Sequence, residues 1–583
     1  MIKHSTNHWT LENGDGALFF AQRLSELLFE YTLDTYKPSA LNCTALCKEA
    51  LQVIRDVGND IIDAANIEHV LDELAWSIKN DPVAKKLLDA DVAFYILRGD
   101  KISRETQALR LEVLLNTLNP QRYHFACESR LKESIRRDAK GDIEVAARNY
   151  VTNMLNFGVS KEFLYELTKS FFFDPASPIV DLAQIDEFFK ALEPKYHSFD
   201  VYFKSNVSIH EVKDSNPAFS IRVLSELPEE VVGVIGGDSF KCSEGECYVV
   251  INSVRATDRI SAYAKAEQRL DTVSDLLIFY THKKTLHWSP SALIQQKCCA
   301  DEVREVTRPM NAMAKGRNFR SDFAAARLNS LIQNISLSGG SFRKFNQVVD
   351  LHGMALASDV PSNQLLNLWI AIETIVPSSR GGKTTVQRIT GAIMPFILEG
   401  YVRRLVVNLT KDLYRWNRRK SGEILNKAPA GGKLTAKVLQ MLALEECDDL
   451  RTEFYSILQD FPLLRQRIRT MAEKLASPKS VIAMLEQHRQ KVEWQMRRIY
   501  RTRNSVVHAG DEPEYTSVLI ENCHDYLDIV LNSIIRLSCK EYSISSLEQA
   551  FEMGDIHYQK FCRKLKENES FSASHLGFIV GDI

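Results

Sequence analysis

The chain has 583 residues, of which 45% are hydrophobic and 25% charged, and a formal net charge of −2. Its eleven cysteines are scattered without a paired spacing, which excludes a secreted disulfide scaffold and favours a reducing compartment. No run of 18 apolar residues and no signal-peptide core occur, so we expect a cytoplasmic protein of several domains that does not engage a membrane.

The first part of the chain has the spacing of helices in series. Leucine and aromatic residues recur every three or four positions from Leu18 to Phe173. The stretches are separated by residues that interrupt helices, namely Pro38, Gly58, Gly99 and Pro120. We predict a helical scaffold or sensor domain over residues 1–175.

The pattern changes after Pro175. Alternating or β-branched runs at 199–203, 220–224 and 247–251 predict strands, and 258–280 has the spacing of a helix. Residues 176–300 are therefore predicted to form a small α+β domain. Residues 301–360 show a mixed pattern and are predicted to be a connecting segment.

A second helical domain is predicted over residues 361–583. The stretch Asn363 to Val376 is apolar enough for a central buried helix, with Glu373 as the exception. A carboxylate in such surroundings is costly unless it is paired, so we expect a basic or hydrogen-bonding partner for Glu373.

The best candidate for chemistry lies at the end of a predicted helix. Apolar residues follow helical spacing from Val481 to Tyr500, and Gly510 is the kind of residue that ends a helix. Asn504 and His508 share a face, whereas Arg503 is turned by about 140° from His508. A histidine can exchange a proton with a ribose hydroxyl, and a guanidinium can stabilise charge on a phosphorus in transition.

The segment Arg503-Asn504-x-x-x-His508 resembles the Arg-x4–6-His signature of the HEPN superfamily, and the helix around Glu373 resembles the first helix of Apea-like HEPN domains. The likeness covers roughly residues 362–540. It implies a homodimeric ribonuclease that cuts RNA, tRNA among the candidates, without a metal or cofactor. It also implies His508 as acid or base, Arg503 as the charge-stabilising group, and Asn504 and Glu373 as positioning residues.

Many such domains are toxic effectors of anti-phage defence, which implies a phage-derived trigger. With this resemblance, the chain is predicted to be mainly α: an N-terminal helical domain, a small central α+β domain and a C-terminal HEPN-like helical bundle. Residues 362–540 hold 27 Lys and Arg against 19 Asp and Glu, which is expected for a phosphate-rich partner but also occurs on a solvated surface.

Several alternatives remain open at this level. Arg503 and His508 could simply be a surface arginine and a favourable charge at a helix C-terminus in a non-catalytic scaffold or RNA-binding protein. Glu373 could be a structural ion-pair partner. Cys242-x4-Cys247 and Cys298-Cys299 lack a second ligand pair, so no metal site is predicted.

Basic residues with aromatic neighbours could bind an RNA backbone and stack on its bases, or could be ordinary helix surface. These groups are Arg403-Arg404, Arg415 to Lys420, Arg465-x-Arg467-x-Arg469 and Arg497-Arg498, with Tyr414, Trp416, Trp494 and Tyr500 nearby.

Overall fold

The computed structural model describes the chain except residues 2, 7, 12–13, 100, 207, 210–218, 236–239, 300–301, 316–318, 383, 430, 540–541, 574–575 and 581–583. The chain forms two compact units. The first unit combines residues 1–149 with residues 311–583, and the second unit comprises residues 150–310. Helices dominate and strands are confined to the second unit among the described residues, which confirms the predicted mainly α class.

Helices make up the N-terminal part of the first unit, and the boundary between the units falls inside the last of them. They are α1 (Asp15–Leu28), α2 (Cys43–Gly58), α3 (Ala65–Asn80), α4 (Pro82–Leu87), α5 (Val92–Tyr95), α6 (Arg104–Thr117), α7 (Pro120–Arg136) and α8 (Lys140–Asn156). The break predicted at Pro120 is confirmed, because α6 ends at Thr117 and α7 begins at Pro120. This proline is the first residue of α7, where a proline lacks only an N–H that has no helical partner, and the Asn119 side chain caps this end.

The second unit is built around an antiparallel sheet. Its helices are α9 (Lys161–Phe172), α10 (Ala183–Ala191), α11 (Glu229–Ile235) and α12 (Arg259–Thr281). Its strands are β1 (His197–Asn206), β2 (Ile221–Leu224), β3 (Glu246–Ala256), β4 (Trp288–Gln296) and β5 (Val303–Thr307), in the spatial order β2-β3-β1-β4-β5 among the described residues. The three predicted strands correspond to β1, β2 and β3.

The alternation of side chains along β1 places a core on each face of this sheet. Phe199, Val201 and Phe203 join the cluster that α12 completes. Tyr202 points to the opposite face and packs with Val231 of α11. The sheet is therefore covered by a helix on both sides.

The first unit resumes after residue 311 with the remaining helices. They are α13 (Ser321–Asn334), α14 (Gly339–Ala357), α15 (Pro361–Ile375), α16 (Thr385–Glu399), α17 (Tyr401–Leu425), α18 (Leu434–Ala443), α19 (Asp448–Ile457), α20 (Pro462–Leu475), α21 (Pro478–Ala509), α22 (Thr516–Ser538), α23 (Leu547–Glu567) and α24 (Gly577–Val580). Helix α15 is the predicted buried helix, and its Trp369 is 1% exposed.

The division into units differs from the predicted domain boundaries. Residues 1–149 do not form a domain apart from the C-terminal helices, because α1 packs on α20 and a buried Arg467 of α20 forms an ion pair with Glu26 of α1. The predicted connecting segment at 301–360 contains β5, α13 and α14 instead. Among the residues that the structure describes, none of the helices has the length and apolar character that a membrane crossing demands.

Candidate functional site

Helix α21 carries three of the four predicted site residues in its last two turns. It begins at Pro478 with a capping box between Ser477 and Ser480 and runs to Ala509. Gly510 ends it in the left-handed conformation, with φ 65°, and donates its N–H to the carbonyl of Val506 at 3.2 Å. The predicted end of this helix is therefore confirmed.

Arg503, Asn504 and His508 differ in exposure. Asn504 is buried, and its Oδ1 accepts a hydrogen bond of 2.9 Å from Nη1 of Arg503. Arg503 is half-buried, and its Nε is enclosed without a hydrogen-bond partner among the described residues. His508 is exposed in the last turn, where the helix dipole favours a positive charge. The guanidinium is thus held in place while the imidazole is open to solvent.

Two contacts give the direction in which α15 crosses α21. The Trp369 and Tyr500 rings lie 5.4 Å apart between centroids. Ser362, at the start of α15, hydrogen-bonds to Glu512, which follows the end of α21. Because Ser362 precedes Trp369 whereas Glu512 follows Tyr500, the two helices run antiparallel.

This direction separates Glu373 from the rest of the predicted site. Glu373 lies one turn beyond Trp369, and His508 lies two turns beyond Tyr500 the opposite way. At a rise of about 1.5 Å per residue, Glu373 and His508 are about 18 Å apart along the helix axes. Glu373 is half-buried and, among the described residues, has neither a hydrogen bond nor an ion pair. The basic or hydrogen-bonding partner expected for Glu373 is therefore not found among the described residues. Within one copy, Glu373 is also too far from His508 to position it.

Two arginines just before the site are neutralised by the N-terminal helices. Arg498 is buried between Glu49 of α2 and Glu73 of α3, with N–O distances of 3.1 and 2.6 Å. Arg501 forms a 2.6 Å ion pair with the same Glu49. Burial alone would raise the pKa of Glu49, but the two guanidinium groups outweigh it and lower that pKa. These arginines therefore fix α21 within the fold and are not available to a phosphate.

The aromatic residues predicted as possible base-stacking groups mostly contribute to the core. Trp494 is 6% exposed and packs against Trp76 of α3, with the ring centroids 5.0 Å apart and the planes tilted by 57°. Trp416 is 8% exposed and donates its Nε1–H to Asp460 at 3.3 Å. Tyr500 packs against Trp369. The rings of Trp494, Trp416 and Tyr500 are therefore engaged in contacts within the fold, neither stacking on RNA bases nor lying on an ordinary helix surface.

Acidic residues surround the open end of α21. The segment after it contains Asp511 and Glu514, both exposed. Burial and the neighbouring carboxylate of Asp511 raise the pKa of Asp56 at the end of α2. A cavity of about 290 Å³ lies beside Tyr500, two turns before His508, and is lined by Asp60 and Asp63 of the α2–α3 connection and by Arg104. The carboxylates next to His508 along the chain are those of Asp511 and Glu514.

No protein-family model matches this chain, and no curated protein or solved structure matches it either. The case for the candidate site therefore depends on its own side chains. These are the Arg503 guanidinium, which is hydrogen-bonded to the Asn504 amide, and the exposed imidazole of His508 five residues later.

A histidine cluster on α14 and α22 has no counterpart among the predicted residues. Nε2 of His352 lies 2.9 Å from Nε2 of His524, and the Asp528 carboxylate is 3.5 Å from His352. Burial lowers the pKa of His524, which favours its neutral form. His524 and Asp528 share a helix face, but His352 comes from a distant segment, so only the fold could bring the three together.

Proposed function

We propose that this chain is a metal-independent endoribonuclease in which Arg503 and His508 act on the scissile phosphodiester. The observation that carries the proposal is the pairing of a guanidinium held on buried Asn504 with an exposed imidazole at the same helix end. The resemblance to Apea-like HEPN domains supports the same assignment. The exposure of His508 argues against a scaffold in which Arg503 and His508 only complete a buried helix interface. A scaffold in which the two residues are surface charges also has an exposed His508, and the cleavage test below separates it from the nuclease.

The proposed reaction needs only proton transfer and charge stabilisation. An imidazole accepts the proton of a ribose 2′-hydroxyl, whose oxygen forms a new bond to the adjacent phosphorus. The bond from phosphorus to the 5′-oxygen breaks, and that oxygen receives a proton from an imidazolium. Arg503 stabilises the negative charge on the phosphorane oxygens. The products are a 2′,3′-cyclic phosphate and a 5′-hydroxyl.

A direct test uses purified full-length protein and total RNA in the presence of EDTA. We expect cleavage to persist after chelation and the sequenced ends to carry cyclic phosphate and 5′-hydroxyl groups. If cleavage stops on chelation and resumes with added metal, or if the cut ends carry 5′-phosphates, the proposed mechanism fails.

Two copies of the chain complete the proposed site. Arg503 and His508 lie about 140° apart around α21, so one helix presents them to different sides. A second copy placed against the helix ends would bring the imidazole of one copy close to the guanidinium of the other. We propose α13 as a contact between the two copies, because none of its residues is buried while Phe323, Leu328 and Ile332 are exposed. Its C-terminal end pairs with Cys539 after the far end of α22, so this contact lies apart from the helix ends themselves.

The variant Leu328→Glu/Ile332→Glu tests this assembly. We expect the parent protein to have the mass of a dimer in light scattering and the variant to have the mass of a monomer, because two carboxylates would be buried in the interface. The exposed α21 position Glu486→Arg serves as a charge-changing control. A monomeric parent, or a variant that remains dimeric, would refute α13 as the contact.

The acidic residues that follow His508, Asp511 and Glu514, support an electrostatic restraint on RNA binding at this end of α21. Neutralising both in Asp511→Asn/Glu514→Gln removes repulsion of an incoming phosphate. We expect a roughly 3- to 10-fold gain in affinity for single-stranded RNA at low salt, shrinking as salt increases. The measurement is fluorescence anisotropy with a non-cleavable 2′-deoxy analogue. Glu423→Gln on α17 is the matched control, and equal affinities for both variants would rule out this restraint.

By the same resemblance, we propose that the protein acts in the cytoplasm as the toxic effector of an anti-phage system with a phage-derived trigger. Cells carrying the intact gene should yield fewer plaques than cells carrying the Arg503→Ala form. Equal plaque numbers with and without the gene would remove the defence role and leave the ribonuclease proposal untouched.

A further inference from the structure

The ends of β1 and β4 bring together a cysteine pair and a histidine that are 101 residues apart in the chain. Phe199 pairs with Gln296 in the antiparallel register, and Lys297 donates its N–H to the carbonyl of Ser198 at 2.9 Å. Continuing that register by one residue sets His197 opposite Cys298. The strand pairing itself therefore builds this group, which lies entirely in the second unit.

The three ligand atoms form a nearly equilateral triangle. Nδ1 of His197 is 3.3 Å from Sγ of Cys298 and 3.3 Å from Sγ of Cys299, and the two sulfurs are 3.4 Å apart. In a tetrahedral zinc site with usual bond lengths, such ligand atoms are separated by about 3.6–3.8 Å. To bind zinc, the distance between each pair of ligand atoms would therefore have to increase by only a few tenths of an ångström.

The exposure of the two sulfurs distinguishes them from the other cysteines. All eleven cysteines lie in the described part of the chain, and only Cys298 and Cys299 are exposed. Cys247, by contrast, is buried in the core of the sheet, and Cys242 is half-buried against it. Exposed sulfurs at the end of a strand can reach a metal ion from solution without unfolding the sheet.

We propose that His197, Cys298 and Cys299 bind one zinc ion in the second unit. Two thiolates and an imidazole are ligands that zinc prefers, and the two sulfur charges balance the charge of the ion. Three protein ligands leave a fourth position for water or a ligand atom. This site goes beyond the proposed ribonuclease function and does not depend on it.

A cavity adjoins the proposed zinc site. His197 and Gln296 line a space of about 190 Å³ together with Glu302 and Arg304. The amide nitrogen of Gln296 lies 2.9 Å from Sγ of Cys299 and 3.2 Å from Nδ1 of His197. Rotation of this amide would present its oxygen to the ion, because the two ends of an amide have nearly the same shape. A small molecule with a zinc-binding atom could instead occupy the fourth position from the cavity.

Cobalt titration of the reduced, metal-stripped full-length protein tests the proposal. Thiolate-bound Co²⁺ gives charge-transfer absorption in the near ultraviolet, and Zn²⁺ should displace it at one equivalent. We expect Cys298→Ser and Cys299→Ser to lose this absorption and to bind zinc more weakly by about 100-fold or more, since loss of even an outer-shell group commonly costs about 10- to 100-fold. His197→Ala should retain part of the absorption but lose zinc affinity.

Matched variants separate this site from other metal ligands. Cys242→Ser, in the same unit, and His352→Ala, in the histidine cluster of the first unit, should both retain the full absorption. Because the three proposed ligands lie at the surface, circular dichroism should be unchanged in their variants. A parent protein without the charge-transfer absorption, or Cys298→Ser and Cys299→Ser variants that bind zinc as tightly as the parent, would overturn the proposal. Unchanged zinc affinity in His197→Ala would overturn the three-ligand assignment.

Discussion

Replacing His508 with alanine is expected to lower the rate of RNA cleavage by about 10²- to 10⁴-fold, which is the usual contribution of a general acid or base. The fold should be unaffected, because the imidazole is exposed and is not bonded to another described residue. Cleavage of a labelled RNA under single-turnover conditions measures the chemical step. Arg503→Ala should lose about 10²- to 10³-fold, as expected when one charge-stabilising donor is removed.

The matched control for His508 is His282, which is also exposed and ends helix α12 with φ 57°. His282→Asn suits this position because asparagine tolerates the left-handed conformation. This variant should cleave RNA at the parental rate. If His508→Ala cleaved RNA as fast as the His282→Asn control, the catalytic assignment would be wrong.

Replacing Glu49 with glutamine is expected to lower the free energy of unfolding of the first unit by about 3–5 kcal/mol. Arg501 would lose its carboxylate partner, whereas Arg498 would keep only Glu73. All of these charges are largely buried, so water cannot replace the lost partner. Urea denaturation followed by tryptophan fluorescence measures the change, because Trp494 packs in the same region.

The same group gives a pH dependence with a definite sign. The folded-state pKa of Glu49 is lower than its ordinary value of 4.5, so its stabilising effect is fully present above that value. It is lost as the pH falls through the folded-state pKa. Glu49→Gln should therefore lose less stability than the parent over that acidic range. As a control, Glu423→Gln removes an exposed pair with Arg419 and should change the stability by no more than about 0.5 kcal/mol.

The sequence predicts those elements whose signals are local. The end of α21 follows from Gly510, and α15 follows from an apolar run that contains Trp369. The strands β1 to β3 follow from alternating or β-branched residues. By contrast, β4 contains Pro290 and several polar residues, which conceal its strand character. Pro120 marks a break between helices in the sequence but is itself the first residue of α7, the helical position at which a proline is favourable.

The candidate site is predictable in its residue types but not in its surroundings. Arg503 and His508 lie in one helix, so their relative orientation follows from the helical repeat. The carboxylates that neutralise Arg498 come from positions 449 and 425 residues earlier in the chain. No sequence pattern links such distant residues. His197 and Cys298 illustrate the same limit, because only the register of a sheet makes them neighbours.

The discontinuous first unit has a consequence for synthesis on the ribosome. At about 5–20 residues per second, Glu49 and Glu73 are added to the chain roughly 20–90 s before Arg498. During that interval the nascent chain exposes helices whose counter-charges do not yet exist. The helix that carries Arg503 and His508 can be fixed in place only after Arg498 and Arg501 have been added. If the proposed ribonuclease function holds, the nascent chain therefore cannot assemble its candidate site until Arg498 and the residues after it have been added.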